Sequence, residues 1–131
     1  MKVFLSYASE DREVAQQLAK NLRHVGHDVY PTAHWPQDVG AALNRAEAFV
    51  VMLSPAAVGS PFVNQEIKLA LVSERLENRV IPVVLKTPIQ IPWILQTMRP
   101  IKSTTNPTAL ARMINERLTN RQTASKDEQA P

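Results

Sequence analysis

The chain has 131 residues and a formal net charge of +3, enough for one domain around a single sizeable core. It has no cysteine, which excludes disulfides, thiolate chemistry and cysteine-based metal sites, and its three histidines, His24, His27 and His34, make no convincing zinc set. Aromatics are 5% of the sequence and the basic residues are scattered among acids, so neither a stacking ladder nor a basic stripe for nucleic acid is expected.

Met1-Lys2 leads straight into Val3-Phe4-Leu5, an apolar run too short for a signal peptide or a membrane span, and a cytoplasmic protein without membrane contact is expected. Lys2 to Tyr7, KVFLSY, reads as a buried strand. Ser9 to Glu13 then reads as an N-cap with an acidic first turn, and Val14, Leu18, Leu22 and Val25 follow at helical spacing. Gly26, after Arg23-His24-Val25, is the expected stop. Asp28 to Thr32 is a short second strand broken by Pro31. A loop, Ala33-His34-Trp35-Pro36, leads to a weak helix from Gln37 or Asp38 to Glu47, punctured by Gly40.

Phe49 to Leu53 is short, rich in β-branched residues and closed by Ser54-Pro55, the pattern of a strand buried on both faces and hence of a parallel sheet. A loop, Ser54 to Ser60, precedes a helix with Ser60 as N-cap and Pro61 at its first position. On that helix Phe62, Val63, Ile67, Leu69, Ala70 and Leu71 form one apolar arc, and Glu66 falls inside it. A carboxylate there either reaches solvent at the edge of the arc or is paired, protonated or chemically used, because burying it bare is expensive.

Arg79 to Leu85 is a fourth strand whose internal Pro82 suggests an edge position or a bulge. Lys86 to Arg99 carries Pro88 and Pro92 and should be irregular, with one turn around Trp93 to Gln96; Arg99 to Ser103 reads as a short fifth strand. Pro107 to Leu118 places Leu110, Ile114 and Leu118 on one face of a final helix. Gln122 to Pro131 has no apolar residue larger than alanine, so one domain over residues 1–120 and a disordered tail over 121–131 are expected.

Alternating strands and helices imply a three-layer α/β fold, in which ligands bind beyond the carboxyl ends of the strands near the switch in strand order. That directs attention to Tyr7 to Ser9 and to Ser54 to Ser60 with the helix carrying Glu66. Gly26, Gly40 and Gly59 are unclustered, which argues against a Rossmann fingerprint or a P-loop. Ser54 stands where a receiver domain would need aspartate, and Ser6, Ser9 and Ser54 lack a nucleophile elbow.

Three ordered motifs resemble those of Toll/interleukin-1 receptor (TIR) domains over residues 2–118. Phe4 to Asp11, FLSYASED, is similar to the first signature box. Phe49 to Pro55 followed by Ser60-Pro61-Phe62-Val63-Asn64-Gln65-Glu66 resembles the serine, aromatic, spacer and glutamate pattern; Val80 to Leu85 and Ile91-Pro92-Trp93 resemble the next strand and its Pro-containing loop. The resemblance implies a flavodoxin-like fold with a five-stranded parallel sheet and one of two roles. In the first, Glu66 is the catalytic carboxylate of an NAD⁺ glycohydrolase or cyclase, with NAD⁺ as substrate and no separate cofactor, in prokaryotic antiphage signalling. In the second, the chain is a non-enzymatic scaffold acting through self-association with other TIR domains. A related nucleotide-sugar or deoxyribosyl transferase is a third reading.

Ser6, Tyr7, Ala8, Ser9, Trp35 and Phe62 are the expected substrate contacts. Backbone N–H groups of Ala8 and Ser9 would face a phosphate unless Ser9 simply caps the helix, and Phe62 would stack on a base unless it packs in the core. With no recognition domain in these residues, activation is expected from a partner or from oligomerisation, and an activating or downstream effector protein is among the expected partners. Two departures stand out: residues 31–48 are short for the family's BB loop and helix, with Pro36-Gln37-Asp38 in place of Pro-Gly-Asp, and Phe62 replaces the usual tryptophan.

Overall fold

The computed structural model describes residues 1–32, 39–85, 90–103 and 106–129. Strands β1 (Lys2–Ser6), β2 (Asp28–Thr32), β3 (Ala48–Leu53), β4 (Val80–Val84) and β5 (Ile101–Lys102) form one sheet in the order β2-β1-β3-β4-β5, every pair parallel. Helices α1 (Arg12–His24) and α6 (Pro107–Gln129) lie on one face. Against the other face lie α2 (Val39–Arg45), α3 (Pro55–Val58), α4 (Pro61–Leu71) and α5 (Trp93–Gln96). This is the three-layer α/β fold expected from the alternation of elements.

The centre of the sheet is apolar because its sequence allows nothing else. All six residues of β3 and all five of β4 are buried, and each large side chain so placed contributes about 1.5–3 kcal/mol. Phe4 stacks on Tyr30 at 5.6 Å and on Phe49 at 5.7 Å, three rings in register across β2, β1 and β3. Parallel pairing thus brings together rings far apart in the sequence, and the two phenylalanines are core.

The prolines fit the direction of the strand hydrogen bonds. The N–H of Asp28 points to β1, where it meets the Met1 carbonyl, so Pro31, three residues on, directs its ring nitrogen away from the sheet at the outer edge of β2. Pro82 was expected at an edge or a bulge, yet β4 lies between β3 and β5. Its nitrogen points to the β5 side, because Leu85 N–H bonds Leu53 on the β3 side and the direction alternates. The two-residue β5 pairs only with Val83 and Val84, so no ladder bond is lost at Pro82.

Other boundaries moved. The chain enters α1 through a 3-10 turn, Ser9–Asp11, with Ala8 rather than Ser9 at the N-cap. The buried face of α1 is Ala15, Leu18, Ala19 and Leu22, while Val14 and Val25 at its two ends are exposed. Gly26, at φ +100, closes α1: its own N–H reaches Arg23 and that of His27 reaches Leu22, the paired bonds of a Schellman stop. The stretch expected as a loop after Ser54 contains α3. The final helix runs on to Gln129 rather than ending at Leu118; residues 119–129 contain neither Gly nor Pro to stop it.

Candidate functional site

The order 2-1-3-4-5 reverses between β1 and β3, so their carboxyl ends flank the switch point. β1 ends there with Ser6 followed by Tyr7 and Ala8, and β3 ends with Leu53 followed by Ser54. All of these residues are buried. Two side-chain hydrogen bonds join the two walls to the helices that follow. The Ser54 hydroxyl donates to the carboxylate of Asp11 and its oxygen accepts the Ala57 N–H at 3.1 Å, capping α3. The Ser6 hydroxyl donates to Oε1 of Glu66 at 2.6 Å, across sixty positions of sequence.

Glu66 owes its place to the start of α4. Ser60 Oγ accepts the Val63 N–H at 3.3 Å, and the Asn64 amide donates to the carbonyls of Val58 and Ser60, at 3.0 and 2.9 Å. With that end pinned, Val63, Glu66, Ile67 and Ala70 turn inward, and Glu66 is 1% exposed. Its Oε2 is buried and has no hydrogen-bond partner among the described residues. Burial pushes its carboxyl from the ordinary 4.5 up to about 7, against the opposing pull of the Ser6 hydroxyl. Burial also pushes the Tyr7 phenol up; the Arg12 cation opposes this and the charge of Glu66 adds to it, so Tyr7 couples electrostatically to both.

The site therefore brings together Ser6, Tyr7 and Glu66 from the expected set. Ala8 is buried and its carbonyl accepts the Asp11 N–H at 2.9 Å; Ser9 is exposed and donates to Glu10 at 3.2 Å, so its hydroxyl does not cap the helix. Phe62, whose packing in the core was the favoured expectation, is 46% exposed one turn before Glu66. Trp35 and Pro36-Gln37-Asp38 lie outside the described residues. Asp11, Arg12 and Ser54 were not read as site residues, although Ser54-Pro55 repeats the helix-start signal of Ser60-Pro61. A cavity of about 180 Å³ lined by Lys2, Asp28, Tyr30 and Arg45 opens at the other end of the sheet, where β1 and β2 begin.

The paired first-box and glutamate motifs are thus brought into contact by the fold, and a family model described as TIR domain matches residues 3–117. The chain belongs to the TIR domain family. Its fold is similar to that of the TIR domain of the Toll-related receptor TRR-2 from Hydra magnipapillata, with TM-score 0.63 and 22% identity over 76% of this chain and 82% of that one. It is also similar to a flavodoxin-like domain from Synechococcus, with TM-score 0.58 and 18% identity over 95% and 99% of the two chains. A CMP N-glycosidase from Clostridium botulinum gives TM-score 0.58 and 16% identity over 88% and 99%. At these identities the likeness speaks for the TIR and flavodoxin-like fold alone. No curated protein matches the sequence. Among the described residues no acid or histidine cluster suits a metal ion, and no helix is long and apolar enough to cross a membrane.

Proposed function

We propose that this TIR domain cleaves the bond between nicotinamide and ribose in NAD⁺, with Glu66 as the catalytic carboxylate. The observation that carries the reading is a buried carboxyl at the switch point, anchored through one oxygen and with the other unpartnered. An unpaired buried acceptor costs about 1–3 kcal/mol, which stability alone would not retain.

The chemistry suits a single carboxylate. As the bond between C1′ and the nicotinamide nitrogen breaks, its electron pair leaves with nicotinamide, which departs neutral and needs no general acid. Positive charge builds on C1′ and the ring oxygen, and an ionised Glu66 stabilises it. Water then forms the new bond at C1′ and loses a proton, giving ADP-ribose; attack by an adenine nitrogen gives a cyclic isomer instead. A carboxyl that titrates near 7 is readily ionised, and a cationic substrate pulls its pKa down further. Phe62 presents its ring one turn away for stacking on a base. Self-association with other TIR domains and a role in prokaryotic immune defence accompany this reading.

The test is NAD⁺ consumption by concentrated purified chain with a crowding agent, products being separated by chromatography. Wild type is expected to release nicotinamide, and Glu66→Ala and Glu66→Gln to lose the activity on the order of 10²–10³-fold while folded. CMP supplied in place of NAD⁺ distinguishes another N-glycosidic substrate. If concentrated wild type releases no nicotinamide, the scaffold reading replaces this one.

A further inference from the structure

We infer that Ser6 is a positioning residue for Glu66, fixing which carboxylate oxygen meets the substrate and favouring its charged form without neutralising it. The inference rests on the reading of Glu66 as catalytic. Ser6 is fully buried and its hydroxyl proton is spent on Glu66 Oε1, so it acts through the side chain it holds.

The geometry favours this role. Ser6 ends a strand paired on both sides, opposite Thr32 of β2 and Val51 of β3, so its backbone is fixed by two neighbours and its hydroxyl by one torsion. Glu66 hangs from α4 by a longer, more flexible side chain. The 2.6 Å bond lies in the range of a hydroxyl donating to a charged oxygen. With Oε1 engaged, Oε2 is the oxygen left for chemistry.

The donor is also neutral. An ammonium or guanidinium in place of Ser6 would hold the carboxylate ionised, but it would cancel the field that must stabilise a cationic ribosyl group. A hydroxyl supplies the hydrogen bond and leaves the negative charge intact. The surroundings preserve this arrangement: β3 and α3 carry no charged residue, Arg45 stands at the far end of α2, and Glu74 and Arg75 are exposed beyond the end of α4. Near the end of β1 are Tyr7, which couples to Glu66, Arg12, which couples to Tyr7, and Asp11, which holds Ser54.

The experiment reads the proton on Glu66 without relying on turnover. Urea unfolding of wild type and Glu66→Gln from about pH 4 to about pH 9 gives a stability difference whose slope against pH sets in at the unfolded-state titration of Glu66 and falls back to zero with a midpoint at the titration of folded Glu66. The same pair is then compared in a Ser6→Ala background. The midpoint is expected to rise by about one pH unit, and Ser6→Thr, which keeps the hydroxyl, to restore it. If Ser6→Ala does not fold, Ser6→Cys, similar in shape and a weak donor, takes its place.

A midpoint that stays put while both Ser6→Ala proteins lose stability equally at every pH overturns the inference. So does a midpoint that moves while the pH profile of nicotinamide release does not. If wild type shows no NAD⁺ cleavage at all, the catalytic assignment falls, and the midpoint still decides whether Ser6 favours the charged carboxylate.

Discussion

Helices α1 and α4 bury their faces through the same spacing. Ala15, Leu18, Ala19 and Leu22 on one and Val63, Glu66, Ile67 and Ala70 on the other fall at i, i+3, i+4 and i+7. Seven of these positions hold small or aliphatic side chains; the eighth is a glutamate where α1 has Leu18. Spacing docks both helices on the sheet, so it is the exception that separates fold from function. On α4 the exception is tolerated because β1 offers a hydroxyl opposite it. Leu18 packs within a cluster of hydrophobic side chains in which the Tyr7 phenol is the one hydroxyl among the described residues.

Exchanging the two residues breaks the comparison most sharply. Leu18→Glu places a carboxylate in that apolar cluster and is expected to leave the chain unfolded at neutral pH, since an unpaired buried charge costs several kcal/mol. Circular dichroism and urea titration decide this. Glu66→Leu is expected to fold and to release no nicotinamide, so a folded Leu18→Glu or an unfolded Glu66→Leu would erase the distinction.

Next in size is the pH dependence of Glu66→Gln. The folded pKa of Glu66 is raised above the ordinary 4.5, so the unfolded chain releases this proton first as pH rises. The contribution of the protonated carboxyl to folding is complete below 4.5 and is lost as pH rises through about 7. Above that, the buried charge costs ~3 kcal/mol relative to acid. Glu66→Gln is therefore expected to gain relative stability between those limits and to level off above them.

Ser54→Ala removes both the cap of α3 and the bond to Asp11, and is expected to cost about 1–2 kcal/mol in urea unfolding. Phe62→Ala should cost about 1 kcal/mol in stability, less than a core phenylalanine, because the residue is 46% exposed. Its effect should appear in KM for NAD⁺, a rise of about tenfold if the ring stacks on a base.

What was legible in the sequence was local. The β-branched run ending at Leu53, the Ser60-Pro61 start and the angular position of Glu66 on α4 each lie within one short window, and the α/β order followed from them. The partner of Glu66 did not, because Ser6 stands sixty positions away and only parallel pairing of β1 with β3 brings it near. Asp11 looked like a first-turn acid favouring the helix, while its actual partner is Ser54. Val14 and Val25 fit the helical period, but are about half exposed, at the rim of the arc that Ala15, Leu18, Ala19 and Leu22 bury. Pro82 suggested an edge position or a bulge, and the brevity of β5 removed the conflict.

The nitrogen of Pro31 carries a consequence for how copies of this domain can meet. A free edge strand invites a strand from another molecule, which binds through its outward N–H and carbonyl groups. At one end of this sheet β5 is two residues long, too short a template; at the other, the backbone groups of Val29 and Pro31 point to the open side of β2, where Arg23 donates to the Val29 carbonyl and the proline has no N–H to give. Among the described residues neither edge offers a run of free backbone groups, which disfavours assembly of these domains by lengthening the sheet.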